Sequence, residues 1–229
     1  MREIKSYVRP LCRMYPNPKS FMETITYTTI TQELAQPVVD LLRICFPQMR
    51  PRDQYNAQEL TDMADIFPEG TIVALDGQKV VGMGTGIFVD LDLDNLPPTE
   101  DDLLYTDGLS RHTPTGAYYF GSDLAVHPDY RGRQIGRNIY IRRKAVVTKY
   151  HKKGFVAAAV LPGYEHLQTQ MSAHDYVNKV VAGELFDPTL SMQMRNGFRV
   201  LDVLHNFIVY PRSNHWCALI FWPNPECGR

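Results

Sequence analysis

The sequence predicts a mixed α/β fold built as one domain. Three observations carry this prediction: β-branched segments alternate with segments of helical periodicity, a hairpin signature joins two strands, and a long apolar strand leads through a tight turn into a helix. The chain has 229 residues, 44% hydrophobic and 21% charged, which is enough apolar material for a core. Residues 1–22 carry prolines without periodicity and are expected to form an N-terminal arm, which leaves 23–229 as the single domain.

The first half of the chain alternates strands and helices. A β-branched segment at 24–30 predicts a strand, and apolar residues at helical spacing then predict two helices, each ended by a proline. Asp76-Gly77 separates two strand-like runs and is typical of a hairpin turn, whose second strand extends over 79–89. The glycines of that strand have the spacing GxGxG, which is wrong for a dinucleotide fingerprint and favours a bulged or closely approached strand.

The second half of the chain contains a long apolar strand at 118–126, which His127-Pro128 ends. The helix that follows is expected to bury Ile135, Ile139, Val146 and Tyr150. The remaining strands are expected at 155–161, 200–209 and 216–221, with an irregular and helical stretch before Gly197.

The charge of the chain is balanced overall but segregated locally. The 24 basic and 25 acidic residues give a formal net charge of −1, which argues against a nucleic-acid-binding or membrane-surface protein. The segment 131–153 nevertheless carries nine basic residues and no acidic one, and the segment 90–107 carries seven acidic residues and no basic one. We expect the acidic segment to be a loop of about 20 residues, a length that in a compact domain indicates either a functional rim or plain disorder.

Several classes of protein are excluded by the pattern. No apolar run of about 18 residues predicts a membrane span and the N-terminus has no secretory signal, so we expect a cytoplasmic protein. The four cysteines lie far apart, with no histidine at zinc-ligand spacing. The acidic pattern from Asp90 resembles a calcium loop only at its start, because prolines interrupt it and its twelfth position is not Glu. We expect no metal site.

The most informative window is 123–137, which reads as the end of a strand, a tight turn rich in glycine and arginine, and the start of a helix. The first turn of a helix has unpaired backbone N–H groups and the positive end of the helix dipole, so it attracts phosphate. Glycine lets the backbone approach the phosphate oxygens, and arginine adds charge-assisted hydrogen bonds. These residues predict a phosphate-bearing cofactor; a solvated basic helix beside an ordinary loop is the alternative.

A set of residues in this window has a recognisable spacing: Leu124, Val126, Pro128, Tyr130, Arg131, Gly132, Ile135 and Gly136. The pattern resembles the acetyl-CoA-binding segment of the GNAT superfamily of N-acetyltransferases. The loop of that family has the form Arg/Gln-x-x-Gly-x-Gly/Ala, in which Gln134 of this chain replaces the usual glycine. The order of elements agrees with the family over about residues 24–222. The resemblance implies a central, mostly antiparallel twisted sheet of about seven strands, with helices on both faces and a splayed pair of strands.

The resemblance also implies an activity, in which a primary amine attacks the thioester of acetyl-CoA directly. The pantetheine arm would lie between the strands 118–126 and 155–161, and the backbone N–H of Val126 would stabilise the charge on the carbonyl oxygen. Asp123 is the expected general base, and a polar strand residue satisfied by neighbouring backbone is the alternative. The implied cofactor-binding residues are Leu124, Ala125, Val126, Arg131, Gly132, Arg133, Gln134, Ile135, Gly136 and Arg137.

The group that protonates the leaving thiolate stays open. The family frequently uses a tyrosine five residues before the phenylalanine of its terminal Gly-Phe, and Gln193 occupies that position here. Tyr164, Tyr176 or solvent are the alternatives. His127 is expected to be structural, because it adjoins the turn at Pro128.

The acceptor amine is the least determined part of the function. If the acidic segment borders the acceptor side, Asp101, Asp102 and Asp107 would favour a cationic amine, whereas a solvated surface loop is the alternative. A narrower pattern at 187–200 resembles the acetyltransferase domain that some bacterial proteins carry ahead of a nitrilase-type amidohydrolase, and it does not indicate an acceptor.

The expected partners are a CoA thioester and an amine, with no nucleic acid and no membrane; a homodimer is a compatible assembly. A second function from another class is a non-catalytic acyl-CoA sensor, which keeps the cofactor site and has lost catalysis. The glutamine at position 193 is consistent with that alternative.

Overall fold

One sheet organises the structure, a computed structural model that describes residues 25–50, 54–106 and 109–227. The strands in these residues are β1 (Thr26–Thr29), β2 (Ile72–Asp76), β3 (Lys79–Val89), β4 (Tyr105–Thr106), β5 (Leu109–Ser110), β6 (Tyr118–Val126), β7 (Gly154–Val160), β8 (Arg199–His205) and β9 (Trp216–Pro223). Seven of them form the sheet, in the order β1-β2-β3-β6-β7-β9-β8, and β4 pairs with β5. Within the sheet β6 and β7 are parallel and the other described pairs are antiparallel, which confirms the predicted architecture.

Helices cover both faces of this sheet, as predicted. They are α1 (Gln32–Cys45), α2 (Ala57–Ile66), α3 (Glu100–Leu104), α4 (Ile135–Lys149), α5 (Ala173–Val181) and α6 (Leu190–Arg195). Side chains of a strand alternate between faces, so Phe120 packs in one core with α1 and α2, whereas its neighbour Tyr119 packs in a second core with α4, α5 and α6. The predicted arm at 1–22 lies outside the described residues, and the domain boundary at 23 stays a prediction.

The acidic segment is folded, and the prediction of a 20-residue loop was wrong. It contains α3 and enters the short β4–β5 pair, and Leu103 and Leu104 are each 5% exposed. Leu91, Leu93 and Leu96 pack against the core that faces α1 and α2. Leucines between the acidic residues hold the segment on the protein, because they bury apolar surface that a solvated loop would leave in water. Asp107 lies outside the described residues.

The basic helix α4 buries a charged residue in place of an aromatic one. Ile135, Ile139 and Val146 are buried as predicted, but Tyr150 is 36% exposed and Arg143 only 1% exposed. Tyr150 follows the last turn, where its hydroxyl donates to Glu69 at 3.0 Å. The positive charges of the segment 131–153 therefore do not form one continuous surface.

Candidate active site

Strands β6 and β7 part towards their C-terminal ends. Their parallel ladder ends at the pair Gly121 and Ala157, and β6 runs on to Val126 without β7 as a partner. This confirms the predicted splayed pair. It leaves one side of β6 unpaired over its last residues.

A bulge in β6 lies where the two strands part. One residue of β3 lies between Gly84 and Gly86, whereas two residues, Ser122 and Asp123, lie between the residues of β6 that pair with those glycines. An extra residue in one strand bends it and increases its local twist. The bulge thus turns the end of β6 that pairs with β3 away from β7. The glycine spacing predicted a bulged or closely approached strand at 79–89, and the structure has the close approach, since a Cβ added at Gly84 would lie 2.6 Å from the Ile139 side chain.

The backbone of β6 beyond the bulge has one side bonded to β3 and one side open. The N–H of His127 donates to Val81 of β3 at 2.9 Å, and Ala125 pairs with Met83. Successive residues of a strand direct their backbone groups to opposite neighbours, so the N–H groups of Leu124 and Val126 face the side that β7 leaves. Ala125, predicted among the cofactor residues, faces β3 with its backbone.

The turn between β6 and α4 presents unpaired backbone donors. The first hydrogen bond of the helix runs from Asn138 N to Gln134 O at 3.0 Å, so the N–H groups of Ile135, Gly136 and Arg137 have no partner inside the helix. Gly132 has φ +78, a conformation that side chains disfavour. These donors lie at the positive end of a 15-residue helix.

Three exposed arginines surround these donors. The Arg131 Nε donates to the Val126 carbonyl at 3.3 Å, which links the turn to the open side of β6. The Arg133 guanidinium lies 4.7 Å from the Tyr130 ring centre, and Arg137 donates to the side chain of Gln134 at 3.4 Å. The arginines predicted to bind the cofactor are therefore brought together at one helix end.

Gln134 adopts a left-handed backbone conformation, with φ 62 and ψ 15. This conformation explains why glycine is usual at that place in the family loop, since glycine reaches it without a steric cost. The family loop allows glycine or alanine at the position of Gly136. A methyl group added there would lie 3.6 Å from Leu124 Cδ2, which is an ordinary contact, so alanine would also fit. Ile135 is 2% exposed and anchors the start of the helix.

Asp123 lies in the bulge with its carboxyl group partly buried. Burial raises its pKa from 3.8 to about 6, and the positive charge of Arg143 opposes that rise. Among the described residues, no hydrogen bond or ion pair to the carboxyl group is present. No backbone group of the described residues therefore donates to this carboxyl group, and the role of Asp123 as the general base stays a prediction. A carboxylate with this pKa is ionised at neutral pH and accepts a proton readily.

Arg143 reaches from α4 into the sheet beside the bulge. Its Nε donates to the Tyr119 hydroxyl at 2.9 Å, and its guanidinium donates to the carbonyl of Thr85, the β3 residue opposite the bulge. The guanidinium also lies 4.7 Å from the Phe155 ring centre. A buried cation of this kind stabilises the ionised form of Asp123, although burial dominates the pKa.

Polar groups that the sequence prediction missed surround Asp123 on the face of α1 and α2. The Tyr55 hydroxyl lies 3.1 Å from Ser122 Oγ, and burial raises the pKa of both Tyr55 and Tyr105. Burial, then the negative charge of Asp123 and of Asp101, raises the pKa of Glu100 to about 8. We refer to Asp123, Glu100, Tyr55, Tyr105 and Ser122 as the Asp123 cluster.

The sequence contains a pattern that indicates a buried position for Glu100. Thr99 and Asp102 form the Thr-x-x-Asp pattern of a helix start, and Thr99 Oγ1 accepts from Asp102 N at 3.1 Å. Leu103 and Leu104 follow Glu100 at three and four residues, which places them on its side of the helix. The pattern predicts a short helix that buries this side.

The alternatives for the thiolate acid are engaged elsewhere. Gln193 is 6% exposed and its Nε2 donates to the Tyr140 hydroxyl at 3.1 Å. The Tyr164 hydroxyl donates to the Met171 carbonyl at 3.0 Å, and the Tyr176 hydroxyl donates to Asp187 at 2.8 Å. His127 accepts from Asp129 N at 3.3 Å, which fits a structural role at the turn. The hydroxyl protons of Tyr164 and Tyr176 are thus donated to other groups, and Gln193 has no acidic proton.

None of the described helices is long and apolar enough to cross a membrane. No group of three or more His, Cys, Asp and Glu side chains in the described ranges is arranged to hold a metal ion.

Comparison with solved structures supports the fold. The loading GNAT-like domain of CurA from Lyngbya majuscula matches with a TM-score of 0.73 at 17% identity, over 88% of this chain and 98% of that one. The GNAT-like decarboxylase GphF, solved with isobutyryl-CoA, matches with a TM-score of 0.71 at 17% identity, over 87% and 99%. At these identities the similarity shows the fold alone.

Comparison with curated proteins and families identifies relatives. The probable hydrolase YhcX of Bacillus subtilis is 26% identical over 207 residues, which are 90% of this chain but 40% of that protein. The uncharacterized N-acetyltransferase YkwB of the same bacterium is 25% identical over 215 residues, 93% of this chain and 95% of that one. The model of the acetyltransferase (GNAT) family matches residues 35–151, slightly more than half of the sequence. The chain therefore belongs to the GNAT family of acetyltransferases.

Proposed function

We propose that the protein transfers an acetyl group from acetyl-CoA to a primary amine by direct attack on the thioester, with Asp123 as the general base. The observation that carries the proposal is the position of Asp123, whose carboxyl group lies at the bulge where β6 and β7 part. An unpaired backbone edge for the cofactor and a basic group for the amine thus meet at one point of the sheet.

The cofactor would bind along the open side of β6 and at the start of α4. The pantetheine amides would pair with the backbone of Leu124 and Val126, which β7 leaves free. The diphosphate would accept from the unpaired N–H groups between Arg131 and Arg137, and the exposed arginines would add charge-assisted hydrogen bonds. Ile135 and Gly136 would hold the helix close to β6, since Ile135 is buried against the sheet.

The chemistry requires one base and one oxyanion donor. An alkylamine has a pKa of about 10.4 and is protonated at neutral pH, so it must lose a proton before it attacks. Asp123 would accept that proton, the neutral amine would form the new C–N bond, and the N–H of Val126 would stabilise the negative charge on the carbonyl oxygen. The C–S bond would then break, and the nitrogen would lose its second proton to solvent. The CoA thiolate would take its proton from solvent, because Gln193 has no acidic proton to give.

A non-catalytic acyl-CoA sensor is the second candidate. The buried Gln193 favours it, because an amide in hydrogen-bond contact with Tyr140 provides no acid for the leaving thiolate. The unpartnered carboxyl group of Asp123 and its raised pKa favour the enzyme, since a binding module has no need of a base at the strand opening.

The two candidates are separated by binding and turnover measured on one preparation. Calorimetry with CoA tests the site, and thiol release from acetyl-CoA in the presence of a panel of primary amines tests the reaction. Isobutyryl-CoA belongs in the same assay, because a relative of similar fold was solved with it. We expect CoA binding together with amine-dependent thiol release. Binding without release for any amine would support the sensor instead.

A further inference from the structure

A buried amide joins α4 to α6 and has one end without a partner. The side chain of Gln193 on α6 is 6% exposed, and its Nε2 donates to the Tyr140 hydroxyl on α4 at 3.1 Å. The Gln193 Oε1 is buried and accepts no hydrogen bond from the described residues. Buried polar atoms in folded proteins almost always have a partner, so this oxygen calls for an explanation. We refer to the two residues as the Tyr140–Gln193 pair.

The pair also contains a hydrogen-bond donor. Tyr140 is 3% exposed, and its oxygen accepts from Gln193. A tyrosine hydroxyl can donate as well as accept, and no hydrogen bond within the described residues uses the Tyr140 proton. The pair therefore presents an acceptor, Gln193 Oε1, beside a donor, the Tyr140 hydroxyl.

The position of Tyr140 on α4 directs the pair towards the open end of β6. Tyr140 follows Gly136 by four residues, so the two lie on one face of the helix. A Cβ added at Gly136 would lie 3.6 Å from Leu124 Cδ2 and 3.8 Å from Val126 Cγ2, so this face covers the part of β6 that β7 leaves. Helical side chains lean towards the start of their helix, and the ring of Tyr140 thus leans towards the same part of β6.

Aromatic contacts define the β7 side of the pair. The Tyr140 ring centre lies 6.0 Å from that of Phe155 on β7 and 5.3 Å from that of Phe198. Phe155 is two residues before Ala157, the last residue of β7 that pairs with β6. Residues two apart in a strand share a face, so Phe155 marks the face of α4 and α6 just before the strands part. The pair therefore lies over the place where β6 and β7 separate.

A ligand that lies between two parted strands has two polar edges. In an extended chain the amide groups face opposite neighbours in turn, and the pantetheine arm of acetyl-CoA is a chain with two amide groups. In the proposed function, one edge of the arm pairs with the backbone of Leu124 and Val126. The polar groups of the other edge also leave water when the arm binds, so they need partners in the protein.

We propose that the Tyr140–Gln193 pair binds this second edge of the pantetheine arm: Gln193 Oε1 accepts from an amide N–H, and the Tyr140 hydroxyl donates to an amide carbonyl. The inference rests on the cofactor site of the proposed function and not on the acetyl transfer itself. An ammonium group has donors but no acceptor, and a thiol forms only weak hydrogen bonds, so amide groups match the pair best. Gln193 is thus a cofactor-binding residue.

The test measures the affinities of Gln193→Met and Tyr140→Phe by calorimetry. Methionine keeps the length of glutamine without its polar atoms. Tyr164→Phe is the matched control, because it removes a buried hydroxyl that donates to Met171 instead. The ligands are CoA, desulfo-CoA, which lacks the thiol, and adenosine bisphosphate, the nucleotide half of CoA without the arm. We expect each of the first two variants to weaken CoA and desulfo-CoA alike by about tenfold, as for one lost hydrogen bond in a buried site.

The nucleotide half of the cofactor controls for a general distortion of the site. Adenosine bisphosphate should bind both variants within twofold of the wild type, and the control variant should bind all three ligands within twofold. An unchanged affinity for CoA in both variants would overturn the proposal. Equal losses for adenosine bisphosphate, or a loss for CoA that is absent for desulfo-CoA, would also overturn it. If one of the two variants does not fold, the other decides.

Amide-to-ester analogues of CoA identify the atom that Gln193 contacts. An ester oxygen in place of an amide N–H removes one donor from the arm, and each of the two amides is replaced in turn. One analogue should bind the wild type about tenfold more weakly than CoA does, but should bind Gln193→Met as tightly as CoA does. Equal sensitivity of the wild type and Gln193→Met to both analogues would contradict the contact.

The failure of the proposed function has a different signature. Thiol release by Gln193→Met with an unchanged KM for acetyl-CoA would overturn the role of the pair and leave acetyl transfer standing. CoA binding that depends on the pair, without thiol release for any amine, would contradict acetyl transfer and support the role of the pair.

Discussion

The two faces of the sheet at β6 carry charged groups of opposite sign. On the side of α4, the positive groups are backbone N–H donors of a helix start and exposed arginines, all with ready access to solvent. On the side of α1 and α2, the negative groups are two partly buried carboxyls whose pKa values are raised to about 6 and about 8. The first arrangement suits a permanent anion such as a diphosphate. The second suits groups that gain and lose a proton near neutral pH.

This difference between the two faces shows how a chain with a net charge near zero can hold two regions of opposite charge. The nine basic residues of 131–153 do not act together, because Arg143 and Lys152 are buried and only part of the set surrounds the helix start. The acidic residues of 90–107 divide in the same way, with Glu100 inward and Asp101 and Asp102 exposed. In both segments the geometry, and not the sum of charges, determines which groups serve the site.

Substitution of Asp123 by Asn should produce the largest effect and confine it to the acceptor side. We expect the rate of amine acetylation to fall about 100-fold to 10,000-fold, the usual contribution of a general base. CoA affinity should stay within twofold, because the proposed diphosphate donors lie at the start of α4, on the other face of the sheet. Single-turnover thiol release and calorimetry with CoA measure the two quantities.

The same substitution should stabilise the folded protein. The folded pKa of Asp123 is raised from 3.8 to about 6, so its ionised form costs stability that is regained as pH falls from about 6 to about 4. That cost is on the order of 3 kcal/mol at pH 7. Asp123→Asn should therefore unfold at higher urea concentration than the wild type at pH 7, and the difference should shrink by pH 4. Equal midpoints at pH 7 would show that Asp123 is not desolvated.

Substitution of Arg131 by Ala should affect the cofactor side. Loss of one charge-assisted hydrogen bond of about 1.5–3 kcal/mol predicts CoA binding weaker by about 10-fold to 100-fold, with an unchanged rate at saturating acetyl-CoA. Lys149→Ala provides the control, since it removes an exposed positive charge from the opposite end of the same helix. Similar losses of CoA affinity for both variants would indicate a general effect of positive charge and not a local contact of Arg131.

Substitution of Gln134 by Gly should give the smallest effect, an increase in stability of up to about 1 kcal/mol. Glycine adopts the observed φ of 62 without strain, although its freedom in the unfolded chain offsets part of the gain. Gln134→Ala keeps the positive φ with a small side chain and should not stabilise. Urea unfolding of the three proteins measures the difference, and an alanine variant as stable as the glycine variant would contradict the backbone explanation.

Much of the fold could be predicted from local sequence. The strand at 118–126 agrees with β6 in its bounds, and the glycine spacing of β3 anticipated a strand that α4 approaches closely. These features depend on neighbouring residues, so periodicity and turn chemistry determine them. The acidic segment was predicted to be a loop because acidic residues dominate its sequence. In the folded protein its leucines pack against the core, and a prediction from the segment alone could not include that contact.

The cofactor side was also more predictable than the acceptor side. The window 123–137 is contiguous, and Arg131, Arg133 and Arg137 meet at one helix start because they are close in sequence. Glu100, Tyr55 and Asp123 come from three separate segments and meet only when the chain is folded. The pKa values of Asp123 and Glu100 are raised only in the folded protein, because burial and mutual repulsion depend on contacts between separate segments.

The pH dependence of kcat/KM for acetyl transfer to a primary amine shows whether Asp123 acts as the base. For the wild type, kcat/KM should rise with an apparent pKa of about 6 as Asp123 ionises. Above that pH it should rise more slowly, as the fraction of unprotonated amine increases. In Asp123→Asn, the step near pH 6 should be absent and the rate at pH 7 lower by at least about 100-fold. A variant that retains the step, or that stays within threefold of the wild type, would contradict Asp123 as the base.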